Sequence, residues 1–577
     1  MKKRLGLTNA LEKRGKSFCK DYQLIGPAIT KSPGRPALLM LNANPFNYGI
    51  ANLGMQCIVK YLLERDVNVH FTFADTLDKY IFGSEDSQIQ TYDVIGVSIP
   101  FEDTFLSALR MLDQIGLPIH ASQRNDDMPL VVAGGMAMIN PMPISDFVDI
   151  VVIGEGREAL YQIMERYFYA RQRGITKRDA LTQMVDIPGV YIPSHYIVEM
   201  DDNGYVSRFE YLNGNSVVES LPPLDLNQYP INSVWTSPQA CYGHDNYFSI
   251  MVAMGCYKKC PFCVVGQTQG AKSGQAINID VQNIVEMALE RRTTYGTNLV
   301  KIFFSSAFSS NTDYADSGNL KELLHALHMN GFSCRVGSLN IRQADEDLFE
   351  LLSLVGQKEV AFAPETTERL RPMLGKAYIT DDKLKELAYY ASKYKLSLNV
   401  YSLGALPGET DSDTIIYAAL LRSLQHILNK KSRLIVHYNP VFMKAQTPFQ
   451  YFGCVRPLEI RRKYRLLRAE LEDENIEFVS IIPDPLTYYQ PVLALGDANT
   501  GKVLAHLHRK RHYSENDWMS AFIELGLDDS RYFTNKNPQM TLPWEHISFT
   551  GHQRLKRIAT AIQNSSRNYE TMDEIDG

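Results

Sequence analysis

The 577-residue chain is predicted to be α/β: a doubly wound, Rossmann-like N-terminal sheet, then a (β/α) partial TIM barrel, then an α+β C-terminal extension. Three observations lead there. Short Val/Ile/Leu-rich runs alternate with helix-period segments over residues 36–165. The same alternation returns over 246–450. Between them, 166–245 is a connector with turn and proline signals, Asp201-Asp202-Asn203-Gly204 and Leu221-Pro222-Pro223-Leu224.

The length suggests about three to four domains. An apolar content of 45% and a charged content of 21% describe a soluble globular protein with material for several cores. A net charge of -6 gives no general argument for nucleic-acid binding. Eight cysteines form no disulfide framework; Cys19, Cys57, Cys241, Cys334 and Cys454 are scattered, which points to a reducing, cytoplasmic setting. The basic start Met1-Lys2-Lys3-Arg4 lacks an apolar stretch behind it, and no run approaches ~18 apolar residues, so neither a secretory signal nor a membrane span is expected.

Residues 1–35 read as a basic, solvated leader. Strands follow over 37–42, 67–73, 92–99, 130–135 and 149–156, with helices over 53–65, 104–116 and after 156. Such a series places ligands at the strand C-termini. No G-x-G-x-x-G follows the first strand, so a generic dinucleotide site is not supported. The connector carries short strands over 196–200 and 205–211. In the barrel region, strands over 248–254, 299–304, 333–337, 359–363 and 397–403 alternate with helices over 281–295, 320–330, 346–355 and 383–394. The extension, 451–577, holds Tyr488, Tyr489, Trp544 and His546, either as core or as pocket lining.

The strand over 248–254 runs into Gly255-Cys256-Tyr257-Lys258-Lys259-Cys260-Pro261-Phe262-Cys263, a C-x3-C-x2-C run. Three thiols are odd in number and too tightly spaced to pair well as disulfides. A four-ligand zinc site needs a fourth ligand, and the chain has no second C-x2-C pair. Three cysteines on three irons of a [4Fe-4S] cluster, with the fourth iron open, fit better.

With aromatic Phe262 before its last cysteine, the run resembles the cluster loop of the radical S-adenosylmethionine (radical SAM) superfamily. The resemblance implies that Cys256, Cys260 and Cys263 hold the cluster and that SAM binds at the open iron. Ser305-Ser306 stand where many members carry G-G-E; the acidic residue is missing here, and a Ser-rich turn is the alternative. Ala363-Pro364-Glu365 with Glu368-Arg369-Leu370-Arg371 resembles the segment after the fifth barrel strand, so Glu365 is implied at SAM, or else serves as a first-turn acid of a helix. Gly404-Ala405-Leu406-Pro407-Gly408-Glu409-Thr410 resembles the sixth-strand motif, implying Leu406, Pro407 and Gly408 at the adenine. The matching fourth-strand segment supplies Ser338 and Arg342 for the ribose or carboxylate.

The N-terminal series resembles the cobalamin-binding-type domain that precedes the cluster domain in one branch of the superfamily. The likeness rests on Gly134-Gly135 and on the ending Asp149 to Leu160. It implies cobalamin beside Gly134, Gly135, Gly154, Glu155, Gly156 and the loop holding Asn44, Asn47, Tyr48 and Gly49. Many free-standing cobalamin domains carry D-x-H-x-x-G in that loop; this one has no histidine. A domain kept for packing or partner binding is the alternative. Asn52-Leu53-Gly54-Met55-Gln56 and Leu542-Pro543-Trp544 resemble a largely uncharacterised radical SAM family.

The implied activity is reductive cleavage of SAM to a 5'-deoxyadenosyl radical, with cobalamin-dependent methyl transfer to an unactivated carbon. It implies an electron donor such as flavodoxin or ferredoxin and a small-molecule, peptide or RNA substrate. Two alternatives stand beside it. One is cobalamin-independent rearrangement, ring formation or methylthiolation, although a second cluster would need three cysteines in a domain that holds only Cys57. The other is a non-enzymatic iron-sulfur sensor or scaffold.

Overall fold

The computed structural model describes residues 22–29, 32–84, 89–241, 246–269, 276–308, 318–472, 474–479, 485–510 and 512–564. The expected leader thus lies mostly outside the described residues. β1 (Ala37–Asn42), β2 (Asn68–Phe73), β3 (Val94–Ser98), β4 (Leu130–Gly134) and β5 (Ile150–Val152) form a parallel sheet in the order β2-β1-β3-β4-β5. α1 (Leu53–Leu63), α2 (Phe105–Gln114) and α3 (Gly156–Gln172) supply the cover. Every residue of β2 is buried, polar ones included, as in a strand covered on both faces. α3 passes through residue 165, and β6 (Val190–Tyr191) joins β5 antiparallel, so this layer reaches past the expected boundary. β7 (Tyr196–Met200) and β8 (Val206–Tyr211) form the expected connector hairpin.

The barrel series is β9 (Tyr247–Met251), α4 (Val264–Thr268), α5 (Val281–Tyr295), β10 (Leu299–Phe303), α6 (Gly318–Met329), β11 (Ser333–Val336), α7 (Glu346–Leu354), β12 (Glu359–Glu365), α8 (Asp381–Lys393), β13 (Ser397–Gly404), α9 (Asp411–Ile427) and β14 (Leu434–Pro440). α10 (Pro457–Glu470) and β15 (Ile476–Val479) continue it past the expected limit of 450. Parallel ladders join β9-β10-β11 and, separately, β12-β13-β14-β15. Between the two groups the carboxamide of Gln357 stands in for a peptide. Its Oε1 accepts from Val336 N at 3.1 Å, and its Nε2 donates to Val336 O at 3.1 Å and Glu359 O at 2.7 Å. Alternation along the strands buries Val360, Leu398 and Val400 in one core with the outer helices.

Counted from β9, the strands ending at Val336, Glu365 and Gly404 are third, fourth and fifth. The family pattern implied fourth, fifth and sixth. The shift is one throughout, because the strand that feeds the cysteines is itself the first of the barrel.

The extension adds α11 (Leu486–Ala494), α12 (Ala498–Leu507), α13 (Glu515–Glu524) and α14 (His552–Asn564). Its apolar side chains share one core with α2 and the N-terminal sheet. The aromatic residues singled out in the sequence belong to that interior. Trp544 is buried and donates Nε1 to Gln450 Oε1 at 2.8 Å, Tyr489 stacks on Trp518, and His546 packs among Tyr191, Tyr196 and Phe209. Among the described residues no helix is long and apolar enough to cross a membrane.

Candidate active site

β9 delivers the chain through Gly255, at φ 81°, into the cysteine loop. Cys260 is buried, while Cys256 and Cys263 are half-buried. The thiols lie within electrostatic reach of one another and of the Lys376 ammonium. Burial pushes Cys256 upward and Cys260 up to about 12, and Lys376 opposes both shifts. Among the described residues no three His, Cys, Asp or Glu side chains are grouped to hold a metal ion. Ligands of a four-iron cluster sit on separate irons and stand further apart than ligands of one ion, so three thiols spread along one loop fit a cluster.

Neighbouring elements fix the loop. Gln267 Nε2 donates to Lys259 O at 2.7 Å and Cys260 O at 3.2 Å, and Phe449 N donates to Pro261 O at 3.3 Å. Asn340, after β11, donates to Tyr257 Oη. Phe262 packs toward Phe449, ring centroids 6.3 Å apart, and the Lys376 ammonium lies 5.8 Å from its ring centre.

Strain gathers on this face. Among the described residues, four of the seven non-glycine residues with positive φ are Lys259 in the loop and Phe304, Glu365 and Ala405 at the ends of β10, β12 and β13. Such conformations cost on the order of 1–3 kcal/mol each and cluster at functional sites.

At these strand ends the expected SAM residues are found in different states. Ser305 is buried and donates Oγ to Ser338 O at 3.0 Å. Ser306 and Ser338 line a cavity of about 680 Å³ that also meets Phe303, Glu359, Asn399 and Tyr401. Arg342 is exposed, its guanidinium 5.6 Å from the Tyr378 ring centre, with Lys258 at 3.5 Å. Glu365 is buried and its Oε1 accepts from Lys376 Nζ at 2.6 Å; burial raises its pKa, and the ammonium opposes that. Leu406 N donates to Glu409 Oε2 at 2.8 Å, Gly408 O accepts from Arg369 at 3.1 Å, and half-buried Pro407 lies between them. Thr410 and Asp413 then close a capping box on α9, so this turn also starts a helix.

A second cavity, of about 340 Å³, opens at the C-terminal edge of the N-terminal sheet. It runs inward past Met40, Gly96 and Val132 toward Leu160. Of the residues expected there, Gly134, Gly135, Gly154, Glu155 and Gly156 all line it. Gly134 alone has nothing within 4 Å of an added Cβ; at Gly135 that atom would meet Ile99 O at 2.4 Å and at Gly154 Leu221 O at 2.3 Å, so the chain itself demands those two glycines. The Glu155 carboxylate is engaged by Arg157, at 2.8 and 2.9 Å. Asn44, Asn47, Tyr48 and Gly49 do not line the cavity. Phe46 turns their loop into an aromatic group with Phe73 and Phe82, and Asn52, Gly54 and Met55 at the start of α1 take the wall instead. Met251 and Met254 also line the cavity, and among the described residues no histidine does. Lys376, Gln267 and Met254 were not singled out in the sequence.

In fold and in its cysteine run the chain resembles radical SAM proteins. Residues 73–193 match the family model described as radical SAM proteins, N-terminal. An uncharacterized protein of Methanocaldococcus jannaschii is 23% identical over 473 residues, spanning 80% of this chain and 89% of the relative. The fold is similar to that of TsrM from Kitasatospora setae, a radical S-adenosylmethionine methyltransferase solved with cobalamin and a [4Fe-4S] cluster. The TM-score is 0.51 at 13% identity, over 85% of this chain and all of that one (100%). OxsB, a cobalamin-dependent S-adenosylmethionine radical enzyme solved with aqua-cobalamin, gives 0.50 at 11% identity, over 92% of this chain and 80% of that one.

Proposed function

We propose that the chain is a radical SAM enzyme that methylates an unactivated carbon. In this reading Cys256, Cys260 and Cys263 hold a [4Fe-4S] cluster, SAM lies along the strand ends beside them, and cobalamin occupies the cavity at the sheet edge. Bound there, the three groups supply reductive SAM cleavage to a 5'-deoxyadenosyl radical and a transferable methyl group. A reductant such as flavodoxin or ferredoxin and a small-molecule, peptide or RNA substrate complete the reading.

One observation supports it most. The same cavity is lined by Gly134 and Gly154 of the N-terminal layer and by Met251 and Met254, and Met254 is two residues before Cys256. A ligand resting on the sheet edge would therefore face the cysteine loop. On the sheet face of the cavity Met40 packs over Gly96, where a Cβ would stand 3.1 Å from the methionine side chain. Among the described residues the lining offers no imidazole to cobalt. The wall is largely apolar, with methionine, valine and isoleucine side chains, and the Glu365–Lys376 ion pair lies beside the loop.

Anaerobic reconstitution with SAM, cobalamin and a reductant tests the proposal by mass spectrometry. Formation of both 5'-deoxyadenosine and S-adenosylhomocysteine is expected, with both lost in Cys256→Ser, Cys260→Ser and Cys263→Ser. 5'-Deoxyadenosine alone would sink the methyl-transfer part. A protein that takes up iron yet cleaves no SAM would sink the whole reading. Gly134→Val should weaken cobalamin retention without lowering the melting temperature, since its side chain enters open cavity.

A further inference from the structure

Resting on the cluster reading above, we propose that Gln267 and Arg554 are positioning residues for the cysteine loop, which makes α14 a working part of the cluster site. Gln267 is 1% exposed and lies in α4, the short helix that Cys263 begins. Its amide nitrogen donates to the carbonyls of Lys259 (2.7 Å) and Cys260 (3.2 Å), the stretch joining the first and second cysteines.

A glutamine side chain has nearly the same shape when its oxygen and nitrogen are exchanged. Turned the other way, Gln267 would aim its oxygen at two carbonyl oxygens. Arg554 decides the matter. Its NH1 donates to Gln267 Oε1 at 2.8 Å, and a guanidinium has no acceptor to offer. The carboxamide is thereby held with its NH2 toward the loop.

The loop has need of this donor. Lys259 sits at φ 45°, a left-handed conformation for a side-chain-bearing residue. Helix α4 presses directly on it: a Cβ at Gly266 would come within 3.1 Å of Lys259 Cα. Arg554 is delivered from a rigid element, because Leu555, Ile558, Ala559 and Ile562 of α14 are buried in the core shared with the N-terminal sheet. Near the helix end, Gln563 Nε2 donates to Tyr451 O at 3.1 Å, beside the Phe449 that holds Pro261 O. The loop is thus gripped from two directions by chain that follows the barrel's sixth strand. Outer partners of this kind orient metal ligands without touching the metal.

The test is Gln267→Glu in the full chain. It keeps the shape and the Arg554 contact but puts an oxygen where the loop requires a donor. Arg554→Ala frees the amide to turn, Arg554→Lys restores a donor-only partner, and Arg557→Ala, exposed on the same helix, serves as control. Each protein is reconstituted anaerobically with iron and sulfide. Iron per chain, the rate of iron loss to a chelator and the spin-resonance spectrum of the reduced protein are then measured. Gln267→Glu and Arg554→Ala are expected to lose iron about 10–100-fold faster and to alter the spectrum. Arg554→Lys should recover much of the retention, and Arg557→Ala should match wild type. A folded Gln267→Glu protein with wild-type retention and spectrum would overturn the proposal. Wild-type protein that binds no cluster would instead overturn the reading on which it rests.

Discussion

Lys376 and Glu365 face each other at 2.6 Å with side chains only 11% and 9% exposed. Removing one member of such a pair leaves the other charged and out of water, a loss of about 3–5 kcal/mol. Lys376→Met is therefore expected to lower the urea midpoint steeply, and Lys376→Met with Glu365→Gln to regain part of it. Equal losses in both would contradict the pairing. His546 gives a pH signature. Burial among aromatic rings holds its pKa down to about 4. A depressed histidine contributes stability above its unfolded value near 6.5, and that contribution falls as pH drops toward the folded value, by about 3 kcal/mol in all. Denaturation midpoints of wild type and His546→Phe between pH 7 and 4 should converge on acidification; parallel curves would refute the assignment. In the sequence, the three cysteines announced themselves because their spacing is rare. Lys376 and Arg554 did not, since a lone cation in a polar stretch looks the same whether it meets water or a partner; Arg554 finds Gln267 across 287 positions.

Among the elements, the junction of β11 and β12 is held by the Gln357 side chain where a ladder would otherwise run. Gln357→Leu leaves Val336 N and O unpaired inside the sheet, and should cost about 2–3 kcal/mol. Hydrogen exchange should speed up at β11 and the start of β12 while β13 and β14 stay protected; unchanged exchange at Val336 would show that the junction does not depend on the side chain. The elements themselves were largely legible. The helix read over 281–295 is α5 to the residue, because Asp280 precedes it and Gly296, at φ 74°, stops it. The strand numbering was not, since it came from the family pattern rather than from these residues. The loop after β1 was misleading for a physical reason: Phe46 drives it into an aromatic cluster and away from the cavity.

Across the whole molecule, the N-terminal sheet and the extension are packed as one body. Trp518, Trp544 and Leu555 share a core with Phe105 and Leu109, while the barrel keeps a core of its own. A buried polar knot adds to the join: Glu102 accepts from Lys444 at 2.7 Å and from Gln490 at 3.2 Å, tying β3's loop to the segment after β14 and to α11. Peptides from β3–β4 and from α12–α13 should therefore exchange hydrogen in one cooperative step, although more than 360 residues separate them, as in a single unfolding unit. Lys444→Met should lower the midpoint of that step, and independent exchange of the two groups would contradict the shared core. The grip of Arg554 on the cysteine loop also has a consequence in time. A nascent chain leaves the ribosome N-terminus first, so both sheets and all three cysteines emerge before α14 has been made. During synthesis the loop lacks its outer brace, and iron is expected to settle there only after translation has delivered the last helix.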